Sequence, residues 1–334
     1  MDGKRFAFID ALRGIASLGV VLFHAVEGNH ISLLPEWLRY VVSFGGAGVP
    51  LFFVISGFVI AHSLQDQTMS PARLGRFMLR RSIRLDPPYW IAIAIAIAAS
   101  LLASSLFPDR AQQQFSLAQI AAHLGYLQNI LGFDNINPVF WTLCYEVQFY
   151  VVFAAILFAP SRFTLPAALA ISLLWCYRLG PDLPGFFPNL WYAFLLGAIT
   201  WYAWMNPGMT PVFLVYFLGV ISAAIWHNDG FAIECCVGAA VIFVVAKMGK
   251  LTTFLGWRPL QFLGAISYSL YLLHNPVTGA VFRASRYFGG GPIVQALGWA
   301  ASIAACIFVA SMLYRLVERP CMRLSREAIK VTSE

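Results

Sequence analysis

A polytopic, all-α membrane protein is the fold class this sequence predicts, on three observations. Hydrophobic residues make up 60% of the 334 and charged residues only 11%. Mean hydropathy is +0.72, and a water-soluble chain of this length has no use for so much apolar side chain. Apolar stretches approaching the roughly 20 residues that cross a bilayer as a helix recur along the chain. Lys and Arg are also unevenly shared between alternate connections, in the manner that fixes topology.

Taken in order, the elements are ten predicted spans. The first, at about 7–28, is longer than a signal-peptide apolar region and contains Arg13, so it is read as a retained helix. The second, about 38–64, contains "FGGAGVPLFFVISGFVIAHSL" (44–64), whose small residues permit close helix approach and whose glycines and Pro50 suggest a kinked start. The third, about 86–107, begins at Pro87 and Pro88 and leads into the longest external loop, about 108–137. The fourth runs over about 138–159. The fifth to eighth follow at about 164–179, 186–205, 210–226 and 231–248, and the ninth and tenth at about 260–282 and 292–318. No internal repeat or low-complexity tract interrupts them. Residues 1–334 are therefore expected to form a single transmembrane domain with no separate soluble domain.

With the N-terminus in the cytoplasm and sides alternating through ten spans, Arg39, Arg110, Arg178, Arg283 and Arg286 fall outside. The other seventeen of the 22 Lys and Arg fall inside, among them Lys4, Arg162 and Lys330. This asymmetry predicts N-in and C-in. It also accounts for most of the net charge of +7 and gives no reason to expect a nucleic-acid partner. The six cysteines have neither metal-site spacing nor the look of a disulfide framework, so they are read as small apolar packing residues and no metal is expected.

Chemistry enters with "DALRGIASLGVVLFHAVEG" (10–28). Charge at a bilayer centre costs about 2.5–3.5 kcal/mol on insertion scales, so Arg13 and His24 need a reason to be there. Eleven residues at 100° each bring them within about 20° of one face and about 16 Å apart along the axis. Asp10, Ser17 and Glu27 lie near the same stripe. Such a stripe must face the bundle interior or a wet cavity. The plain alternatives are an Arg13 that snorkels and pairs with Asp10, and a His24 that merely packs.

Two later spans repeat the anomaly. "NPVFWTLCYEVQFYVVF" (137–153) carries Glu146 with Trp141 and Tyr145 nearby. "GAISYSLYLLHNPV" (264–277) carries His274 with Tyr268 and Tyr271 on turns able to face it. One shared polar cavity is the economical reading, with histidine as proton carrier and a carboxylate to orient or balance it. The segment "RLGRFMLRRSIRLDPPYW" (73–90) concentrates five arginines within twelve positions. If helical, Arg80 and Arg84, and Arg81 and Arg84, share a face suited to phosphate. The same charges equally serve topology and lipid headgroup contact.

Together these motifs resemble the acyltransferase-3 family of bacterial inner-membrane O-acyltransferases. The resemblance rests on Arg13-x10-His24, on "GVPLFFVISGFVI", and on Arg81-x-x-Arg84 in "RRSIRLDPPYW". It rests further on "FWTLCYEVQFY" around Glu146 and on "SYSLYLLH" ending at His274, and it spans nearly the whole chain. Asp86 departs from the pattern, which often has an aromatic residue there. Some members carry a C-terminal esterase-like domain, for which this chain ends too soon after the tenth span.

The resemblance implies transfer of an acyl group, usually acetyl, from cytoplasmic acyl-CoA to a hydroxyl of an exported or surface glycan or a lipid-linked saccharide. It implies catalytic roles for His24, Glu146 and His274. Arg81 and Arg84 would hold the donor phosphates, with Arg13, Asp10, Tyr271 and Trp141 along the substrate path. Acyl-CoA is then a donor substrate, and no permanently bound cofactor is expected. Outer aromatics, among them Trp37, Phe186, Phe187, Trp191 and Tyr192, suit either a sugar-stacking surface or an interfacial belt. The rival classes are a proton-coupled secondary transporter, which also uses intramembrane His and Glu, and a non-catalytic membrane scaffold. An acyltransferase acting on a non-glycan small molecule is a further alternative. Against a transporter, no paired broken helices appear in two related halves.

Overall fold

A computed structural model describes residues 5–28, 31, 34–64, 69–106, 113–159 and 161–330, without the side chains of 161, 162 and 328–330. Of the charges used for orientation, Lys4 and Arg110 lie outside the described residues, as do the side chains of Arg162 and Lys330. No strand occurs among the described residues. The helices are α1 (Ala7–Glu27), α2 (Glu36–Ser43), α3 (Gly48–Ser63), α4 (Pro71–Leu106), α5 (Leu117–Leu124), α6 (Trp141–Ile156) and α7 (Ser161–Cys176). They continue with α8 (Trp191–Met205), α9 (Thr210–His227), α10 (Gly230–Lys247), α11 (Arg258–Ser285), α12 (Pro292–Leu313) and α13 (Arg319–Lys330). The protein is all-α and polytopic.

Among the described residues, 7 helical stretches are long and apolar enough to cross a membrane. The other three predicted spans exist as helices. α7 and α8 have 16 and 15 residues, so α8 rises only about 22 Å against a hydrocarbon core of about 30 Å. α8 is buried almost all round, from Trp191 through Trp201, as expected of a helix apolar on every face. α11 is long at 28 residues, but Ser267, Ser269, His274, Asn275 and Thr278 dilute its apolar character.

The arginine-rich segment is helical and continuous with the third predicted span: both belong to one 36-residue helix, α4, with Pro87 and Pro88 inside it rather than at its start. At 1.5 Å per residue α4 is about 54 Å long. Prolines inside membrane helices are tolerated where neighbouring groups take over the freed carbonyls.

The chain divides into two compact units, each assembled from three separated stretches. The first comprises Met1–Arg13, Ala47–Met78 and Thr142–Gln261. Its centre is the contact of α3 with α8, made possible by facing glycines. A Cβ added to Gly57 would lie 1.8 Å from the Phe194 carbonyl oxygen, and one on Gly197 would lie 1.8 Å from that of Val54. Phe194 stacks at 4.4 Å on both Phe53 and Phe149, and α10 and α9 pack against α8.

The second unit comprises Gly14–Gly46, Leu79–Trp141 and Phe262–Glu334. Val21 of α1, Ile266 and Leu270 of α11, and Cys306 and Ala310 of α12 form one of its buried clusters. Val21 is thus a packing residue of α1. Ala25, Ile31 and Phe282 form a smaller cluster beyond it. All six cysteines are free thiols, and Cys144, Cys235, Cys236 and Cys306 are buried.

Candidate active site

The second unit brings His24 of α1 and His274 of α11 together, with His274 Nε2 3.4 Å from His24 Nδ1 and ring centroids 5.1 Å apart. His274 is fully buried and His24 is partly exposed, so only His24 of the pair has surface open to its surroundings.

The hydrogen bonds assign the protons. His274 Nδ1 lies 2.7 Å from the Tyr271 carbonyl oxygen, which only accepts, so Nδ1 carries the hydrogen and Nε2 of the neutral ring is a lone pair. His24 Nδ1 lies 3.0 Å from the Val20 carbonyl oxygen and also faces that lone pair, so it too carries its hydrogen. The His24 Nε2 lone pair is left over. A neutral imidazole whose Nδ1–H is engaged by two acceptors and whose Nε2 is available has the arrangement of a general base or nucleophile. When His24 gains a proton, the same two acceptors stabilise the imidazolium.

α11 is shaped for this by its sequence. Pro276 has no N–H, so the carbonyl of Leu272, four residues earlier, loses its helical donor. The side chain of Asn137 supplies one instead, with Nδ2 3.1 Å from the Leu272 oxygen. Tyr271 is committed at both ends: its carbonyl accepts from His274, and its hydroxyl donates to the Val139 oxygen at 3.2 Å. Tyr271 therefore appears in the second unit as a support of His274. Trp141 closes the same stretch of chain and is half-buried.

Residues 113–140, most of the predicted external loop, fold against α4 and α11. The Trp90 indole donates to the Leu124 oxygen at 3.3 Å, and the Tyr126 hydroxyl donates to Asp86 Oδ1 at 2.9 Å. Asp86 and Trp90 lie about 30 and 24 Å from the C-terminal end of α4 at 1.5 Å per residue. The segment's irregular backbone is satisfied by its own buried side chains. Gln119 donates to the Asp134 oxygen, Gln128 donates to that of Phe140, and His123 Nε2 accepts from the Ile136 N–H. Burial holds the His123 pKa below its usual value, in keeping with that neutral acceptor role. Asp86 also accepts from Ser82. Its departure from the family pattern thus has a local explanation, since it anchors Tyr126.

Arg81 and Arg84 sit partly buried on α4 within this unit. Arg80 lies within electrostatic reach of Arg81 and of Arg326 from α13. Arg326 is one of the seventeen Lys and Arg expected on the inner side.

The remaining predicted site residues belong to the first unit. Glu146 of α6 accepts from Ser56 of α3 at 2.8 Å and from Tyr150 one turn along, both on Oε1. Gln148 grips the connection before α8, donating to the Gly185 oxygen at 2.8 Å and accepting from the Phe187 N–H at 2.9 Å. Asp10 pairs with Arg5, rather than making the i,i+3 pair with Arg13 that the sequence allowed. Arg13 is half-buried on α1. Among the described residues, no three His, Cys, Asp or Glu side chains gather to hold a metal ion.

Comparison with known proteins gives a consistent result. The profile of the Acyl_transf_3 acyltransferase domain matches residues 6–315. The chain is 28% identical to the exopolysaccharide production protein ExoZ of Rhizobium meliloti, covering 94% of this chain and 98% of that protein. It is 26% identical to the O-acetyltransferase OatA of Staphylococcus aureus over 93% of this chain, spanning 56% of that longer protein. No solved structure matches.

Proposed function

The chain belongs to the Acyl_transf_3 family of acyltransferases, and from that premise we propose that it moves an acetyl group from cytoplasmic acetyl-CoA to a hydroxyl of an exported or surface glycan. The exopolysaccharide relative and the O-acetyl-transferring relative support the choice of acceptor and acyl group. The proposed setting is the bacterial inner membrane, N-in and C-in, with the whole chain acting as one catalytic domain.

The observation that carries this reading is the His24–His274 pair with its His24 Nε2 lone pair. In the proposed step the acceptor O–H gives its proton to His24 Nε2 as the oxygen attacks the thioester carbonyl. A C–O bond forms, the C–S bond breaks, and the proton passes from His24 to the departing thiolate, giving an ester and free CoA. General-base catalysis of this kind supplies roughly 10²–10⁴-fold in rate. Arg81 and Arg84 are assigned to the donor phosphates, which guanidinium groups bind bidentately. Arg13 and Asp10 are assigned to the substrate path, and Glu146, held by Ser56 and Tyr150, to an acceptor contact.

The test is reconstitution in liposomes with acetyl-CoA and a glycan fragment. Equimolar free CoA and ester are expected. Solute movement without thioester loss would replace the reading with transport.

A further inference from the structure

The proton assignment in the histidine pair depends on the Tyr271 carbonyl staying where His274 Nδ1 can donate to it. What holds that turn of α11 lies outside α11. Three hydrogen bonds join it to the stretch 137–139. Asn137 Nδ2 donates to the Leu272 oxygen at 3.1 Å, Asn275 Nδ2 donates to Asn137 Oδ1 at 3.0 Å, and the Tyr271 hydroxyl donates to the Val139 oxygen at 3.2 Å. They involve Tyr271, Leu272 and Asn275, the residues on either side of His274. Asn137 is 2% exposed, and its Oδ1 also caps the short turn Pro138–Phe140 by accepting from the Val139 N–H.

We infer that Asn137 is a positioning residue for the catalytic pair. It replaces the backbone donor that Pro276 lacks, and so fixes the turn whose carbonyl sets the His274 tautomer. The chemistry is specific. Leu272 is fully buried, so its freed carbonyl needs a donor from within the protein. A primary amide donates to that carbonyl while accepting from Asn275 and Val139 through its oxygen. An apolar residue of the same size does neither. If the turn relaxes, His274 Nδ1 loses the Tyr271 oxygen, Nε2 is no longer held as an acceptor toward His24, and the His24 Nε2 lone pair is no longer the enforced state. This inference rests on the proposed role of His24 as base.

The dependence on Pro276 supplies the test. Asn137→Leu, Pro276→Ala and the double variant are reconstituted in liposomes, and kcat and KM are measured by thiol release from acetyl-CoA. Asn137→Leu is expected to lower kcat roughly 10–100-fold, a part of what a general base contributes, while KM for acetyl-CoA stays within about 2-fold. Pro276→Ala returns an N–H to the Leu272 carbonyl, so in that background Asn137→Leu should cost less than about 2-fold. Two multiplying losses would show that Asn137 does not act through the proline-broken turn, and an unchanged kcat in Asn137→Leu would show that it positions nothing.

Should Pro276→Ala alone be inactive, Asn275→Ala decides. It leaves the backbone intact and frees the Asn137 amide to turn, so kcat should fall about 3–10-fold at unchanged KM. No change there would overturn the inference. His24→Gln is run alongside. If it retains wild-type thiol release, the base itself is misassigned. If it is dead while Asn137→Leu is normal, only the positioning role fails.

Discussion

Replacing His24 by Gln isolates proton transfer from structure. Glutamine keeps an amide N–H able to reach the Val20 carbonyl, and the bond given up to His274 is a long one at 3.4 Å. Loss of one such neutral hydrogen bond costs about 0.5–1.5 kcal/mol, and His24 is partly exposed rather than sealed in the core. The variant should therefore insert and fold. Its basic nitrogen, however, is gone. Forfeiting roughly 10²–10⁴-fold in rate raises the barrier by about 2.7–5.4 kcal/mol at 1.36 kcal/mol per decade. The assay is single-turnover release of free thiol from acetyl-CoA in liposomes with excess acceptor, with equilibrium binding of acetyl-CoA measured on the same preparation. Binding should stay within a few-fold while the rate drops by two decades or more. Wild-type turnover by a well-inserted His24→Gln protein would reduce His24 to a packing residue and remove the general-base reading.

Arg81→Lys keeps charge but loses the planar fork, so acetyl-CoA KM should rise several-fold, and Arg81→Ala with Arg84→Ala should raise it further; unchanged donor affinity would return these arginines to topology. Gly57→Ala places a methyl 1.8 Å from the Phe194 carbonyl oxygen, so α3 and α8 must separate, and thermal unfolding in detergent should shift down by several degrees. An impermeant thiol reagent applied to intact cells should spare a cysteine placed at Arg76 and modify one placed at Arg178. Labelling at 76 would reverse the proposed orientation.

The parts of this structure that were legible in sequence are those written within a single helix. Arg13 and His24 do lie on one uninterrupted α1, because helical spacing needs no knowledge of neighbours. His24 with His274 was inferable because buried ionisable groups in apolar helices seek one another's company. The α4 segment was misjudged locally. Pro87 and Pro88 read as a boundary, yet the helix continues through them. The segment 113–140 was harder still. Its polarity resembles that of an exposed loop, and only the structure shows Gln119, His123 and Gln128 spending their polar groups on the segment's own backbone. Asn137 left one usable signal. A proline two residues after a membrane histidine implies an orphaned carbonyl, although no pattern says which distant side chain answers it.

The His24–His274 contact joins residues 250 positions apart, and that distance has a consequence for biogenesis. At about 5–20 residues per second of synthesis, α1 stands in the bilayer for roughly 12–50 s before its partner has been made. During that interval the lone pair has no enforced position, and residues 113–140 have no α11 to close upon. The histidine pair is thus incomplete until the ninth predicted span arrives. On the proposed mechanism, a chain that terminates anywhere before residue 274 would lack the partner of His24 and should release no thiol from acetyl-CoA.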